Sequence, residues 1–342
     1  MSEPVVILFG GGSEERRVSV ASAQNVCGLL PEARLWFVTA SGPVHRCPRE
    51  VLLSHAEAFT RELSLSGPAT WPSIEAALDS AEARGQTFLL ALHGKGVEDG
   101  VLQGLLESRR LAFTGSGAQA SAEAFDKERA KAAAKRAGVR TVESLELPQG
   151  EGELAAALEG NLARLQRAVA KPVRGGSSVG LYHLQQGEPL APIARAIAAS
   201  GEAYMLEQFI PGTELTVGVV EGASGLRALP CSEVRVEAGR AFDYAGKYLG
   251  QGTRELTPAQ VSPEVAAAAQ ALAVAMHRAL GCYGYSRTDL IVAAEGPVFL
   301  ETNTLPGLTK ASFIPQQLAA AGISMRTFVE GQLALARARR DR

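Results

Sequence analysis

Residues 286–309 read SRTDLIVAAEGPVFLETNTLPGLT: two β-rich runs around a turn. The run 286–294 is apolar, Glu295-Gly296-Pro297 is a turn signal, and residues 298–304 make the second run. Strand side chains alternate faces, so Arg287 and Asp289 share one face and Glu301 and Asn303 share another. If the strands pair, Asp289, Glu301 and Asn303 converge. Two carboxylates and an amide oxygen among apolar residues are costly without a cation. They match the hard donors that Mg²⁺ takes, with phosphates completing its shell. Arg287 then stands beside the metal, aimed at a developing oxyanion or a phosphate. The plainer alternative is a half-solvated hairpin that carries these residues for solubility. The dense loop that follows, with Pro306, Gly307, Lys310 and Ser312, argues against it.

Working outward, 342 residues fit two or three domains or one elaborate α/β unit. The chain is 46% hydrophobic and 20% charged, which supports a sizeable core. A net charge of −2 provides no basic field for nucleic acid or an anionic membrane. The opening MSEPVVILFGGG lacks a cationic segment and a long apolar one, so no signal peptide is expected. With no run of about 20 apolar residues, no transmembrane helix is expected either. Cys27, Cys47, Cys231 and Cys282 lack CxxC spacing and read as reduced thiols of a cytoplasmic protein.

Residues 5–9 read as a buried strand that enters Gly10-Gly11-Gly12-Ser13 and then a helix over 17–30. This is the start of a Rossmann-like unit, with an anion site at the helix start. The GxGxxG fingerprint is absent, so a dinucleotide site is unsupported. Glu14 and Glu15 stand where acids ordinarily complement the helix dipole, and position alone favours that role. Strands over 34–39 and 87–92 flank a helix over 73–83. His93, in His93-Gly94-Lys95-Gly96, leaves the second strand beside Gly10–Glu15 if the strands are neighbours; a functional role is favoured over a structural one. Residues 114–117, TGSG, read as a linker.

A helix beginning near Ser121 puts Asp126, Lys127 and Lys131 on one face, which by itself suggests a solvated helix. Short strands over 140–145 and 169–171 surround a helix over 151–167. Lys171 then leads into PVRGGSSVG, a loop whose glycines and serines can cradle phosphate beside a lysine; it is not a Walker A. Residues 204–214 read strand, turn, strand. Glu207 and Glu214 bracket Phe209 and Ile210, against which an adenine can lie with Glu214 on its ribose; the plain alternative is a hairpin with a polar tip. Residues 242–253, FDYAGKYLGQGT, look like a mobile active-site loop. Helices are expected over 263–280 and 315–337, and there are no internal repeats.

Together GGGSEERRVS, ALHGKGVEDGVLQGLLE, FDKERAK, AKPVRGGSSVG, LEQFIPGTE, DYAGKY, GYSRTDL and ETNTLPGLTKASFIP resemble, in order, the D-alanine–D-alanine ligase family of the ATP-grasp superfamily. The resemblance implies an α/β, three-domain ATP-grasp ligase with an N-terminal Rossmann-like domain. Its parts would be residues 1–115 for substrate, 116–207 as a central ATP-grasp unit, and 208–342 with the metal site and mobile loop. It implies ATP-dependent joining of two D-alanines through an acyl phosphate, with two Mg²⁺ or Mn²⁺ ions on Asp289, Glu301 and Asn303, Glu301 bridging. ATP would meet Lys127, Lys171, Ser177, Ser178, Glu207, Gln208, Phe209, Ile210, Glu214 and Lys247. Glu15 would hold the first ammonium with His93 nearby, and Arg287 and the Gly307 N–H would stabilise the oxyanion. Ser312 would hold the second substrate's carboxylate, while Glu15, Ser177 and Tyr248 match a hydrogen-bonded set of the family. Lys247-Tyr248 favours an amine acceptor. Lys310 and Phe313 depart from the family pattern beside Ser312, which leaves a sister ligase for D-serine, D-lactate or another amino acid as the alternative. The implied partners are small molecules and, as is common in the family, a second copy in a homodimer.

Overall fold

A computed structural model describes residues 3–176, 179–222, 225–236 and 253–340. Among them, strands β1 (Val5–Gly10), β2 (Arg34–Val38), β3 (Val44–Arg46), β4 (Thr87–Leu90) and β5 (Ala112–Phe113) form one sheet in the order β3-β2-β1-β4-β5. β1 is parallel to β2 and β4, β4 is parallel to β5, and β3 is an antiparallel edge. Strand order therefore reverses at β1. In such sheets ligands bind beyond the carboxyl ends of the strands at that reversal. Residues 6–9 are wholly buried because helix Arg16–Cys27 covers one face of β1.

A second, antiparallel sheet contains β6 (Ser144–Glu146), β7 (Arg167–Pro172), β8 (Tyr182–Gln185) and β9 (Tyr204–Gln208), in the order β6-β9-β7-β8. The third is also antiparallel. It comprises β10 (Thr213–Gly222), β11 (Gly225–Ala228), β12 (Ser232–Val236), β13 (Thr253–Leu256), β14 (Tyr285–Ala293) and β15 (Gly296–Asn303). Its order is β13-β12-β10-β14-β15, with β11 against β10.

The cores divide differently from the sheets. Ile7, Phe9 and Val20 share a core with Tyr285, Ile314, Phe328 and Leu333. The second sheet has its own core of Leu154, Leu158, Leu162, Ala170, Ile197 and Leu206. Helix Lys127–Arg136 precedes that sheet, yet its Ala130, Ala133 and Ala134 pack with Leu215, Met276 and Phe299 of the third. No helix among the described residues is long and apolar enough to cross a membrane.

Several expectations are corrected. Residues 114–117 are not an open linker: Thr114 is 3% and Ser116 1% exposed. Their hydroxyls accept hydrogen bonds from the Leu90 and Tyr283 N–H groups, and the Gly115 carbonyl accepts one from Arg339. Small polar residues here satisfy a buried crossing rather than a solvent loop. Residues 204–214 are not a hairpin, because β9 ends in the second sheet and β10 opens the third. The expected helix over 73–83 stops at Asp79, and the expected strand over 140–145 is split: Thr141 makes a single bridge to Phe299, and a strand forms only over 144–146.

Candidate active site

The hairpin forms as the alternation suggests. Arg287 stands opposite Asn303 and Asp289 opposite Glu301, and a register shift between Asp289 and Leu290 ends this run. Residues directly opposite in a ladder share a face, so all four converge there. Arg287 grips Asp289 with both arms, Nε to Oδ1 at 2.9 Å and Nη2 to Oδ2 at 2.7 Å. Thr216, opposite Asp289 on β10, donates its hydroxyl to the same Oδ1. Asn303 Oδ1 accepts from the Leu305 N–H at 2.8 Å. Glu301 faces Lys127 at 3.6 Å. Asp289, Glu301 and Asn303 thus offer hard oxygen donors on one face, a set that fits a divalent cation with phosphate co-ligands. Arg287 and Lys127 supply the positive charge there.

Across the cleft, Lys127 is 7% exposed, which corrects the solvated-helix reading. Asp126 caps its helix through the Arg129 N–H and also accepts from Arg174 at 3.0 Å. The Lys127 N–H binds the Val173 carbonyl, and Nζ donates to the Gly175 carbonyl at 2.7 Å. The start of the helix is thereby clamped to the glycine loop. Burial pushes the Lys127 ammonium below its usual range, with Lys171 adding to the effect and Glu301 opposing it. Lys171 is buried and pairs with Glu207 at 2.8 Å; Lys131, also buried, pairs with the other Glu207 oxygen. The helical spacing of Lys127 and Lys131 beside a buried alanine stripe was the signal that could have marked Lys131.

At the β1–β4 crevice, the Ser13 hydroxyl donates to the His93 carbonyl, and Gly94 has φ +90°. A Cβ at Gly94 would lie 2.7 Å from Ser13 Cβ, so both the backbone angle and the space require glycine. Glu15 stands at the N-cap of helix Arg16–Cys27, where an acid complements the dipole, but its side chain makes no cap hydrogen bond. Its carboxylate instead lies 3.7 Å from where a Gly176 Cβ would stand, beside the glycine loop. His93 is 4% exposed; Nδ1 donates to the Leu305 carbonyl at 2.9 Å, and Nε2 meets the Ser22 hydroxyl at 3.1 Å. Burial alone would depress its pKa. Glu98, 3.7 Å away, outweighs that together with Glu15 and Leu305 and holds the imidazole above its usual range. Burial in turn raises the Glu98 carboxyl. Nothing local in the sequence distinguishes Glu98 from the other acids, although it sits in the same glycine-rich segment as His93.

The loop after β15 closes the site. The Leu308 N–H donates to Ser22, and Ser312 Oγ lies 2.8 Å from the Thr309 hydroxyl. Ser312 begins helix Phe313–Ala320 but makes no side-chain cap. A Cβ at Gly307 would stand 2.6 Å from Ser312 Oγ, so glycine lets the two meet. Phe313 is buried with the Arg287 guanidinium 5.8 Å from its ring centre, whereas Lys310 is exposed. Among the expected adenine contacts, Gln208 is exposed, and Phe209, Ile210 and Glu214 are half-buried. One face of the Phe209 ring is covered by Arg167 at 3.7 Å, with His183 edge-on. Ser177, Ser178, Lys247 and Tyr248 lie outside the described residues, as does nearly all of the expected loop over 242–253. Glu98, Lys127, Gly175, Gly176, Glu301 and Asn303, far apart in sequence, line one cleft.

A mainly parallel α/β sheet followed by two antiparallel sheets, with Lys127, the glycine loop and a carboxylate hairpin at one cleft, is the architecture of an ATP-grasp enzyme. Family models described as "D-ala D-ala ligase N-terminus" and "D-ala D-ala ligase C-terminus" match residues 4–116 and 136–333. A D-alanine–D-alanine ligase of Leptospira interrogans is 35% identical over 94% of this chain and 94% of its own. The VanG D-Ala:D-Ser ligase of Enterococcus faecalis superposes with a TM-score of 0.79, covering 98% of this chain and 100% of that one at 26% identity. The D-alanine–D-alanine ligase of Bacillus anthracis complexed with ATP superposes with a TM-score of 0.73, covering 100% and 99% at 25% identity. The chain belongs to the D-alanine–D-alanine ligase family.

Proposed function

We propose that the protein joins two D-alanines into D-alanyl-D-alanine for peptidoglycan precursors, cleaving ATP to ADP and phosphate. The observation that carries this is the cleft itself. Lys127 and the glycine loop face Glu301 and Asn303 there, in a chain that matches both halves of the family. The carboxylate of the first D-alanine attacks the γ-phosphate to give an acyl phosphate. The amine of the second attacks that carbonyl, and phosphate leaves from the tetrahedral adduct.

Lys127, Lys171 and Lys247 hold the phosphates, and Ser177 and Ser178 are assigned to the same ATP contacts. Glu207, Gln208, Phe209, Ile210 and Glu214 border the nucleoside. Glu15 holds the first ammonium. His93 acts from behind, fixing the Leu305–Leu308 segment against β4, consistent with its bonds to Leu305 and Ser22. Arg287 and the Gly307 N–H bind the oxyanion, and the closeness of Gly307 to Ser312 supports Ser312 as the holder of the second carboxylate. Tyr248 completes the set with Glu15 and Ser177. Asp289, Glu301 and Asn303 would hold two Mg²⁺ or Mn²⁺ ions, which would neutralise phosphate charge. ATP as phosphoryl donor is supported by the ATP complex of the Bacillus anthracis relative.

We further infer units at 1–115, 116–207 and 208–342, supported by the extents of the three sheets. Family practice supports a homodimer, and dependence on ATP supports action in the cytoplasm.

Phosphate release from ATP and Mg²⁺ with D-alanine alone, with product masses, tests the reading: dipeptide is expected. Release only after D-serine or D-lactate is added would move the acceptor to the sister specificity that the VanG likeness and Phe313 point to.

A further inference from the structure

Glu207 is a buried carboxylate with two ammonium partners. Oε1 accepts from Lys131 and Oε2 from Lys171. Lys131 is 3% exposed, Glu207 4% and Lys171 7%. The sheet explains one half of this geometry. Glu207 stands opposite Val169, and Lys171 lies two residues along on the same face of β7. Lys131 reaches the other oxygen from helix Lys127–Arg136, one turn beyond Lys127. Two buried cations and one anion leave a surplus positive charge, which burial penalises until another anion joins. Lys127, which opens on the cleft, feels the charges of both Lys171 and Glu207, so the cluster borders the proposed phosphate site.

We propose that Lys131 is a positioning residue for the nucleotide: it keeps Glu207 neutralised and so frees Lys171 to give its ammonium to the phosphates. This rests on the reading that ATP phosphates enter the cleft. In a lone Lys171–Glu207 pair, drawing the ammonium away would strand a buried carboxylate. With Lys131 in place, the carboxylate keeps a partner throughout. The supporting elements assign the two roles. Lys131 stands on a helix anchored by Ala130, Ala133 and Ala134 in the third core. Lys171 stands at the end of β7, which runs into the glycine loop at residues 174–176.

The test is the ATP dissociation constant, measured calorimetrically on the full chain with Mg²⁺ and without D-alanine. Lys131→Met should weaken ATP binding roughly tenfold or more by locking Lys171 onto Glu207, while Lys131→Arg should retain most of the affinity. In a Glu207→Gln background Lys171 has no carboxylate to be locked onto, so adding Lys131→Met there should change ATP affinity by less than about threefold from that of Glu207→Gln alone. A lowered melting temperature in Lys131→Met with unchanged ATP affinity would overturn the proposal, as would a loss beyond about threefold when Lys131→Met is added to Glu207→Gln. Should Lys131→Met fail to fold, the pair Glu207→Gln and Glu207→Gln/Lys131→Met, which bury no carboxylate at that position, carries the test: ATP affinities within about threefold of each other support it, and a larger gap overturns it. Wild type that binds ATP but makes no dipeptide would sink the D-alanine reading alone. Wild type that binds no ATP would sink both.

Discussion

Ile7 and Phe9 of the first sheet pack in one core with Tyr285, Phe328 and Leu333 from the far end of the chain, whereas Leu206 of the second sheet packs in a separate core with Leu154 and Leu158 of helix Glu151–Leu165. The first junction is apolar and continuous. It is reinforced by Arg339, which lies 4.0 Å from the centre of the Phe113 ring and bonds the Phe113 and Gly115 carbonyls, and by Glu3 between Arg337 and Arg340. The second sheet and its glycine loop meet the rest at the cleft through polar contacts such as Gly175 with Lys127 and Glu207 with Lys131. Apolar burial is non-directional and scales with area, so it fixes two bodies together. A few charged contacts can be exchanged for a ligand's own charges. The chemistry therefore sits at the seam that is not sealed by hydrophobic contact.

The largest effect should come at the seam. Asp289→Ala and Glu301→Ala should each lower Mg²⁺-dependent turnover by about 10²-fold or more, with melting nearly unchanged. Wild-type rates in either would remove the hairpin from the chemistry.

The two cores should then separate in calorimetry. Phe328→Ala should cost about 3–5 kcal/mol and lower the melting of the first sheet and the C-terminal helices together. Leu158→Ala, from a wholly buried residue, should cost about 2–5 kcal/mol and bring out an earlier partial transition of the second sheet. A single shared transition in both variants would erase the contrast.

Acid should loosen the third sheet. His277, 1% exposed and 2.8 Å from the Ser286 hydroxyl, is held at about 4 by burial, with Arg278 adding to it. The unfolded chain takes up this proton first, so the stability His277 contributes is complete above about 6.5 and declines as pH falls toward about 4. The loss is at most about 3 kcal/mol. Melting temperature followed from pH 7 to 4.5 should show a fall that His277→Gln flattens; parallel curves would exclude the histidine.

The smallest change is expected at Phe313→Leu, which should widen acceptor use with little loss of dipeptide formation. An identical acceptor profile would mean that the packing of Phe313 under Arg287 does not set specificity.

Much of this was legible in residue order. The alternation in residues 286–303 specified both strands and their polar face, because a period of two leaves few other registers once one face is buried. The β1 run and the two glycine turns likewise announced the crevice beside Glu15 and His93. Lys131 was legible only as charge on a helix, and Glu98 was one acid among several. What made them buried partners of Glu207 and His93 was packing from sheets distant in sequence.

The chain by itself determined its longer strands and helices, its glycine turns and its family, since period, glycine placement and ordered motifs are local properties. Tertiary structure alone decided which bodies share a core, that Arg287 turns onto Asp289, and that Lys131 and Lys171 divide one carboxylate. Those outcomes depend on burial. Burial is a property of the assembled surface, and it converts solvated charges into obligatory pairs.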